Sequence, residues 1–438
     1  MIAKALKWSS IIVVLLSVLF PVGAYFGVVA VFILAIKARK ARQLLTELSG
    51  DTPVLVMLFC VLLSVIYSRD TLMSIGGAVM ICLNAGFYLV LVAELKNIRL
   101  ERYYNVLNMA CALACIFGIY QFASGNLSLQ KSWVDEKTFG TLVRIYATLL
   151  NPNIFAAYLA MNLSFGLARF RSIRGELLLS INIILSSICL LLTYSRGGFA
   201  AFFAAILVLC LLKERKKGVA VYLAAMTGAF VAINSTGYFN RAGLAAIYQD
   251  SSSLYRLEIW KAALNMFIDN PIFGHGIGTT WYYLSSGSEK LYRYILHSHN
   301  IYLQVAAEMG FAGICTFTYL IAKKLWEGFS ILKEKALEDE EYIVQGFIAC
   351  FAGIAVHGLI DAVVFDPAMS LVFMGYFALY SRVISEHRAE IPVKMKTPVV
   401  QRPGTVRLLN SKGALKLLGS KSACEKKYQK EEDKAYQA

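Results

Sequence analysis

Two histidines and an asparagine stand directly before a long apolar segment. His297, His299 and Asn300 are followed by Ile301–Ala322, in which almost every side chain is apolar. If a helix begins here, His299 lies at its N-terminal end, where the helix dipole disfavours an imidazolium and keeps the imidazole neutral. A neutral imidazole can take a proton from a hydroxyl nucleophile. His299 is therefore a candidate general base, with His297 and Asn300 as candidates for support.

The same two histidines could be interpreted as a metal pair. An H-x-H pattern is common, and no third ligand is evident near it in the sequence. We therefore predict that the site uses no metal and that the chain needs no cofactor. Glu308, nine residues after His299, lies on the same broad helix face as Ile301 and Val305. It is predicted to pair with a buried cation or with helix-end groups.

An arginine-glycine turn, YSRGG from Tyr194, links the apolar segments Leu177–Thr193 and Phe199–Leu212. The second segment of about 14 residues would measure roughly 21 Å, less than the hydrocarbon thickness of a bilayer. Arg196 is therefore predicted at or just below the interface, where an arginine normally has a partner. We predict that Arg196 binds an anion, that Tyr194 supports it, and that the two glycines admit a large anionic group. A plain interfacial anchor is the alternative.

A second arginine lies in the amphipathic segment SSSLYRLEIWKAALNMFIDNP, residues 251–271. Its predicted apolar helix face consists of Leu257, Trp260, Leu264, Phe267 and Ile268. The two aromatic residues suit a helix that lies along a membrane interface. Arg256 falls in the predicted first turn, so the guanidinium and the unpaired N–H groups together predict an anion site. Snorkelling of Arg256 to headgroups is equally open. The following PIFGHGIGTT is predicted to be a flexible turn.

The composition indicates which elements hold these residues. Of 438 residues, 58% are hydrophobic and only 16% are charged, against roughly a quarter charged in soluble domains. Apolar segments recur through the first 385 positions and predict an all-α polytopic integral membrane protein with about 12 transmembrane helices. The segments are Trp8–Phe20, Val22–Ile36, Val54–Tyr67, Leu72–Ala93, Tyr104–Phe122, Ile154–Ala168, Leu177–Thr193, Phe199–Leu212, Val219–Ile233, Ile301–Ala322, Ile343–Ile360 and Ala368–Ile384.

Basic residues concentrate in alternate connections between these segments. They cluster in residues 37–42, 96–102, 169–174, 213–217 and 323–335 and at both ends of the chain. Positively charged connections face the cytoplasm, so the N- and C-termini are predicted to be cytoplasmic. The formal net charge of +15 is thereby accounted for without a nucleic-acid partner.

The other side of the membrane carries two long outer loops, residues 123–153 and 234–300. Residues 1–385 are predicted to form the membrane-embedded domain, and residues 386–438 a basic cytoplasmic tail that is expected to be mobile. The three candidate residues then share the outer face, where no acidic cluster typical of a Mg²⁺ site occurs. This arrangement suggests metal-independent binding of a phosphate or diphosphate together with base activation of an alcohol.

Four segments carry a resemblance to a known family. They are His299-Asn300 followed by Gly310-x-x-Gly313, the SRGG turn at Arg196, RLEIWKAALNMFIDNPIFGHGIG from Arg256, and the weaker NPNIFAAYLAMNL from Asn151. With these motifs the chain resembles the O-antigen ligase and O-antigen polymerase superfamily of bacterial polytopic membrane glycosyltransferases.

The resemblance implies a glycosyltransferase of the bacterial cytoplasmic (inner) membrane whose active site faces the periplasm. Such enzymes transfer a glycan from an undecaprenyl-diphosphate carrier to a hydroxyl group of an acceptor, which is a glycan, a lipid-linked glycan or a protein. The displacement is direct, inverting and metal-independent. The family's catalytic histidine corresponds to His299 and its diphosphate-binding arginines to Arg196 and Arg256, whereas His297 has no assigned counterpart.

Two alternatives remain open. The motifs do not separate a ligase from a repeat-unit polymerase of the same superfamily. A transporter or flippase for a lipid-linked or anionic solute is a different class, which would place functional charges near the bilayer midplane within broken helices. Here the polar candidates gather at one predicted face.

Overall fold

The computed structural model describes residues 1–125, 143–171, 176–213, 216–235, 251–286, 297–334, 337 and 340–396, together with eight strand residues nearer the C-terminus. The helices are α1 (Ile2–Leu19), α2 (Pro21–Lys37), α3 (Ala41–Gly50), α4 (Thr52–Ile66), α5 (Thr71–Leu95), α6 (Leu100–Ser124), α7 (Pro152–Arg169), α8 (Leu177–Thr193), α9 (Arg196–Leu212), α10 (Lys216–Ser235), α11 (Ser251–Asp269), α12 (Thr280–Ser286), α13 (Ile301–Glu334), α14 (Glu341–His357) and α15 (Pro367–Lys396). Single 3₁₀ turns occur at Ala147–Leu149 and Val363–Phe365.

The chain divides into two compact units, Met1–Ile384 and Ser385–Ala438. In the second unit, β1 (Val400–Gln401) pairs antiparallel with β2 (Thr405–Val406), and β3 (Leu408–Leu409) with β4 (Leu415–Lys416). The expected mobility of the tail concerns residues that lie mostly outside the described ones. Within the described part of the first unit, all regular structure is helical, as the apolar segments predict.

Five described helices are long and apolar enough to cross a membrane, namely α1, α5, α6, α13 and the Pro367–Arg388 part of α15. The helices α2 and α3, which meet at a bend of 110°, would together make a sixth span. Another four, α4, α8, α9 and α14, are apolar but shorter. These are the helices of a polytopic integral membrane protein. Each of the 12 predicted segments overlaps one helix, while the number of spans and the cytoplasmic termini stay predictions.

Helix α7 forms the centre of the first unit. It packs against α8, α9 and α14, and Ile154–Ala168 is buried along its whole length. Its small side chains allow close approach, since Ala156 would be only 2.3 Å from a methyl group on Gly198 of α9. The N-terminal end of α7 is thereby held beside the start of α9.

The glycine-rich segment after α11 is an anchored loop, so the prediction of a flexible turn is wrong. His275 N–H and Gly276 N–H donate to the carbonyls of Ala307 and Glu308 at 2.9 Å each. Helix α13 breaks at Gly310 (φ +61°), where a methyl group would lie 2.5 Å from the Ile272 carbonyl. At Gly310, α13 therefore packs closely against this loop.

Helix α11 lies on α13 with a face that differs from the predicted one. Ile259, Ala263 and Met266 are buried, whereas Leu257 and Leu264 of the predicted apolar face are exposed. The helix ends at Asp269, directly before Asn270 and Pro271. Because both sides carry apolar side chains, the outward side suits a membrane interface.

Candidate functional site

The start of α13 fixes the backbone of His299. Asn300 caps the helix, because its side-chain oxygen accepts from the Leu303 N–H at 3.0 Å while its amide donates to the Leu359 carbonyl at 3.1 Å. His299 precedes this cap with a left-handed backbone (φ +53°). Trp260 of α11 donates to the His299 carbonyl at 3.3 Å. Asn300 therefore supports the site by tying the helix start to the α14–α15 connection.

That connection brings a carboxylate to the histidine. His299 Nδ1 lies 3.0 Å from Asp361 Oδ1, although the two residues are 62 positions apart. His297 Nδ1 is 3.8 Å from the same oxygen, and Arg256 Nη2 is 4.0 Å from Asp361 Oδ2. Two of the three predicted site residues, His299 and Arg256, thus meet at one carboxylate that the sequence analysis did not select.

The electrostatics of the cluster favour an ionised Asp361. Burial alone would raise the pKa of Asp361, but the hydrogen bond with His299, together with the neighbouring His297 and Arg256, holds that pKa well below its usual range. An ionised carboxylate only accepts hydrogen bonds. His299 therefore carries its proton on Nδ1, and Nε2 is the nitrogen with the lone pair.

His297 is held in its neutral form. Burial, and secondly the proximity of His299, lower the pKa of His297 to about 4, although Asp361 opposes the shift. The His297 Nδ1 accepts from the backbone N–H of His299 at 3.2 Å. The two rings are in edge contact, with centroids 4.3 Å apart. His297 thus helps to hold the loop conformation that presents His299.

The predicted arginine turn reaches the same carboxylate through Asn153. Ser195 Oγ donates to Asn153 Oδ1 at 2.9 Å, and Asn153 Nδ2 donates to Asp361 Oδ2 at 3.0 Å. Arg196 is the next residue and the first of α9, while Tyr194 ends α8 in a left-handed conformation. The turn that contains Arg196 is therefore connected to Asp361 through Ser195 and Asn153.

Two details of this turn differ from the prediction. Ser195 caps α9 by accepting from the Gly198 N–H at 3.1 Å, so the helix begins at Arg196 and has 17 residues. The glycines do not leave room for a ligand, because a methyl group on Gly197 would lie 2.7 Å from His357 Nε2 and one on Gly198 would meet Ala156. They permit close packing of α9 against α14 and α7 instead.

Arg256 also sits differently on its helix. The described helix begins at Ser251, five residues before Arg256, so Arg256 lies beyond the first turn. The prediction that Arg256 and the unpaired N–H groups of the first turn form one anion site is therefore wrong. The Arg256 guanidinium remains about one-fifth exposed beside Asp361. The nearest negative charge to Arg256 in the described residues is therefore the Asp361 carboxylate.

Glu308 lies apart from this cluster. Its side-chain oxygen accepts from the Thr280 N–H at the start of α12 at 3.1 Å and from Gln304 at 2.7 Å. Of the two predicted partners, the helix-end group is confirmed. Glu308 stabilises the glycine-rich loop against α13 and is a structural residue.

A group of metal-ligand type is present in the cluster. His297, His299 and Asp361 each offer one ligand atom, and these atoms lie within 4.8 Å of one another. The expectation that the H-x-H pair lacks a third ligand is wrong, because that ligand comes from the distant α14–α15 connection.

The sequence analysis also missed Arg144. Its Nε donates to the Thr193 carbonyl at 2.8 Å and its Nη2 to Asn153 Oδ1 at 3.0 Å, and the residue is buried. Arg144 thus orients the amide that contacts Asp361. One signal was available, since an arginine in a predicted outer loop is an exception to the positive-inside bias.

Comparison with known proteins finds similarity over part of the chain. Residues 181–318, from α8 into α13, match the family model described as O-Antigen ligase. That segment contains Arg196, Arg256 and His299. Over this segment the chain is similar to the O-antigen ligase family.

Three rickettsial proteins, each named "Putative polysaccharide ligase", are similar to part of the chain. The protein of Rickettsia conorii is 32% identical over 117 residues, which are 25% of this chain and 27% of the relative. Those of Rickettsia typhi and Rickettsia prowazekii are 36% and 35% identical over 83 residues, 17% of this chain and 20% of each relative. The chain thus spans between a fifth and about a quarter of the length of the relatives that it matches.

Proposed function

We propose that the protein transfers a glycan from an undecaprenyl-diphosphate carrier to an acceptor hydroxyl at the outer face of the bacterial cytoplasmic membrane. The observation that carries this proposal is the 3.0 Å contact between His299 Nδ1 and Asp361 Oδ1, with Arg256 beside the second carboxylate oxygen. A histidine held by a buried carboxylate in one tautomer is a recurrent general base. The match of residues 181–318 to the O-antigen ligase family model and the name of the relatives support glycan transfer.

In the proposed reaction, His299 Nε2 takes the proton of the acceptor hydroxyl. The oxygen attacks the anomeric carbon from the side opposite the carrier, so that the new glycosidic bond forms as the bond to the diphosphate oxygen breaks. The electron pair leaves with the diphosphate, and the configuration at the anomeric carbon is inverted. Asp361 stabilises the imidazolium that results.

The two arginines receive the leaving group in this proposal. Arg256, now 4.0 Å from Asp361, turns part of its five-donor guanidinium to the diphosphate, and Arg196 approaches from the start of α9. A helix N-terminus favours bound anions, and that of α9 adds to the charge of Arg196. Neutralising the charge that develops on the leaving group lowers the barrier without a metal ion.

The experiment is transfer of glycan from purified undecaprenyl-diphosphate glycan to acceptor by the full chain in detergent or vesicles. His299→Ala is expected to lower the rate by about 10²–10⁴-fold, because the general base is lost. His387→Ala, which alters a histidine outside the cluster, is the matched control and should leave the rate unchanged. Full activity of His299→Ala at normal abundance would overturn the base assignment.

The choice of acceptor separates the remaining alternatives. Growth of the donor glycan by added repeat units would identify a polymerase, and transfer to a different glycan, lipid-linked glycan or protein would identify a ligase. Movement of the lipid-linked glycan across vesicles without any glycosidic bond formed would favour a transporter.

A further inference from the structure

Asp361 Oδ1 and the Nδ1 atoms of His297 and His299 are close enough to act as three ligands of one metal ion. His299 Nδ1 and His297 Nδ1 lie 3.0 Å and 3.8 Å from Oδ1. Zn–N and Zn–O bonds of about 2.0–2.1 Å separate neighbouring tetrahedral ligands by about 3.3 Å. All three atoms lie within 4.8 Å of one another, so side-chain rotations can bring them onto one ion.

The ligand types select the ion. Two imidazoles with one carboxylate suit Zn²⁺, whereas Mg²⁺ and Ca²⁺ prefer oxygen ligands throughout. Three protein ligands leave a fourth position for water. The second oxygen of Asp361 stays bound to Asn153 at 3.0 Å, which orients the carboxylate as outer partners of metal ligands do.

We propose that Zn²⁺ binds His297, His299 and Asp361 and thereby inhibits the protein. Zinc on His299 Nδ1 takes the position of the proton now directed at Asp361, and a neutral imidazole then carries its proton on Nε2. Nε2 can no longer accept the proton of a hydroxyl group. The ion also displaces the 3.2 Å hydrogen bond from the His299 N–H to His297 Nδ1. The inhibition rests on the proposed function, but the binding of zinc does not.

The first measurement is calorimetric titration of the purified full chain with Zn²⁺. One ion per wild-type chain is expected, and His387→Ala should bind it equally well. His297→Ala should weaken binding by at least about tenfold, since even partners of metal ligands contribute 10–100-fold to affinity. His297→Asn repeats the comparison in case the alanine variant does not fold.

The second measurement is glycan transfer by each variant, relative to its own rate without zinc. Zn²⁺ should inhibit the wild type, a chelator should restore its rate, and Mg²⁺ at the same concentration should have no effect. In His297→Ala the inhibitory concentration should rise at least about tenfold.

The outcomes separate the two proposals. Absence of zinc binding, or equal binding by wild type and both His297 variants, would overturn the metal site. Stoichiometric binding without any change in rate would overturn inhibition by zinc. Failure of the proposed function is recognised separately, by full activity of His299→Ala without zinc.

Discussion

Two buried carboxylates contact different parts of the α13 region: Asp51 contacts Lys324, and Asp361 contacts His299. The clusters around them differ in how far their cations and histidines are exposed. In the second half of α13, Lys324 Nζ lies 2.8 Å from Asp51 Oδ2, with side chains only 6% and 10% exposed. Tyr88 donates to the same oxygen at 2.5 Å. At the beginning of α13, Asp361 is equally buried, but His299 and Arg256 are 25% and 20% exposed.

The difference indicates distinct roles for similar charges. Lys324 pairs with Asp51 and with Glu327 and joins α13 to the start of α4, so this cluster is structural. The cluster around Asp361 keeps a histidine and an arginine within reach of a ligand, which is the arrangement expected where chemistry occurs. Three variants test this contrast.

The largest effect is expected from Asp361→Asn. Both carboxylate oxygens face donors, because Oδ1 accepts from the Ala362 N–H at 2.9 Å and Oδ2 from Asn153. An amide nitrogen at the Oδ1 position would make His299 Nδ1 an acceptor and select the wrong tautomer. Glycan transfer should fall by about 10²–10⁴-fold.

The matched control is Asp366→Asn in the same connection. Asp366 caps α15 by accepting from the Ala368 N–H at 2.9 Å, which asparagine does equally well. Equal rates for the two variants, measured with normal unfolding temperatures, would refute the positioning role of Asp361.

Lys324→Met should act on stability instead. The variant leaves Asp51 buried without its cation and removes the cation 3.7 Å from buried Glu327. Breaking a buried pair in this way costs about 3–5 kcal/mol. Unfolding in detergent, followed by tryptophan fluorescence, should occur at a lower temperature. The transfer rate per folded molecule should be unchanged.

The double variant Lys324→Met with Asp51→Leu sharpens this test. Removing the Asp51 charge as well should restore part of the lost stability, because Asp51 then needs no cation, whereas buried Glu327 still lacks Lys324. If Lys324→Met alone is as stable as the wild type, the Lys324 cluster is not closed to water. If Lys324→Met lowers the transfer rate without lowering stability, the cluster takes part in the reaction.

The smallest effect is expected from Arg256, the partly exposed cation beside Asp361. Arg256→Ala should raise the KM for the donor by about 10–100-fold, the equivalent of one charge-assisted interaction of about 1.5–3 kcal/mol. Arg256→Lys should recover only part of this, because lysine lacks the planar fork. Lys261→Ala, an exposed position of the same helix, is the control, and donor KM values alike in all three would exclude Arg256 from donor binding.

Sequence reasoning located the helices well because apolar segments are local features. It also predicted the helix start after His299, where Asn300 caps α13. It was wrong about the surroundings of these elements. The buried face of α11 is the one with Ile259 and Ala263, because α11 packs on α13, and the glycines of the Arg196 turn serve helix packing.

The amino-acid sequence by itself determined the membrane class, the helical segments and the superfamily motifs at Arg196, Arg256 and His299, because each depends on neighbouring residues only. The tertiary structure alone decided that Asp361 orients the histidine and that Asn153 joins it to the arginine turn. These contacts connect segments far apart in the chain. They exist because α14 and α9 pack against the buried α7, and no local pattern encodes which connections such packing brings together.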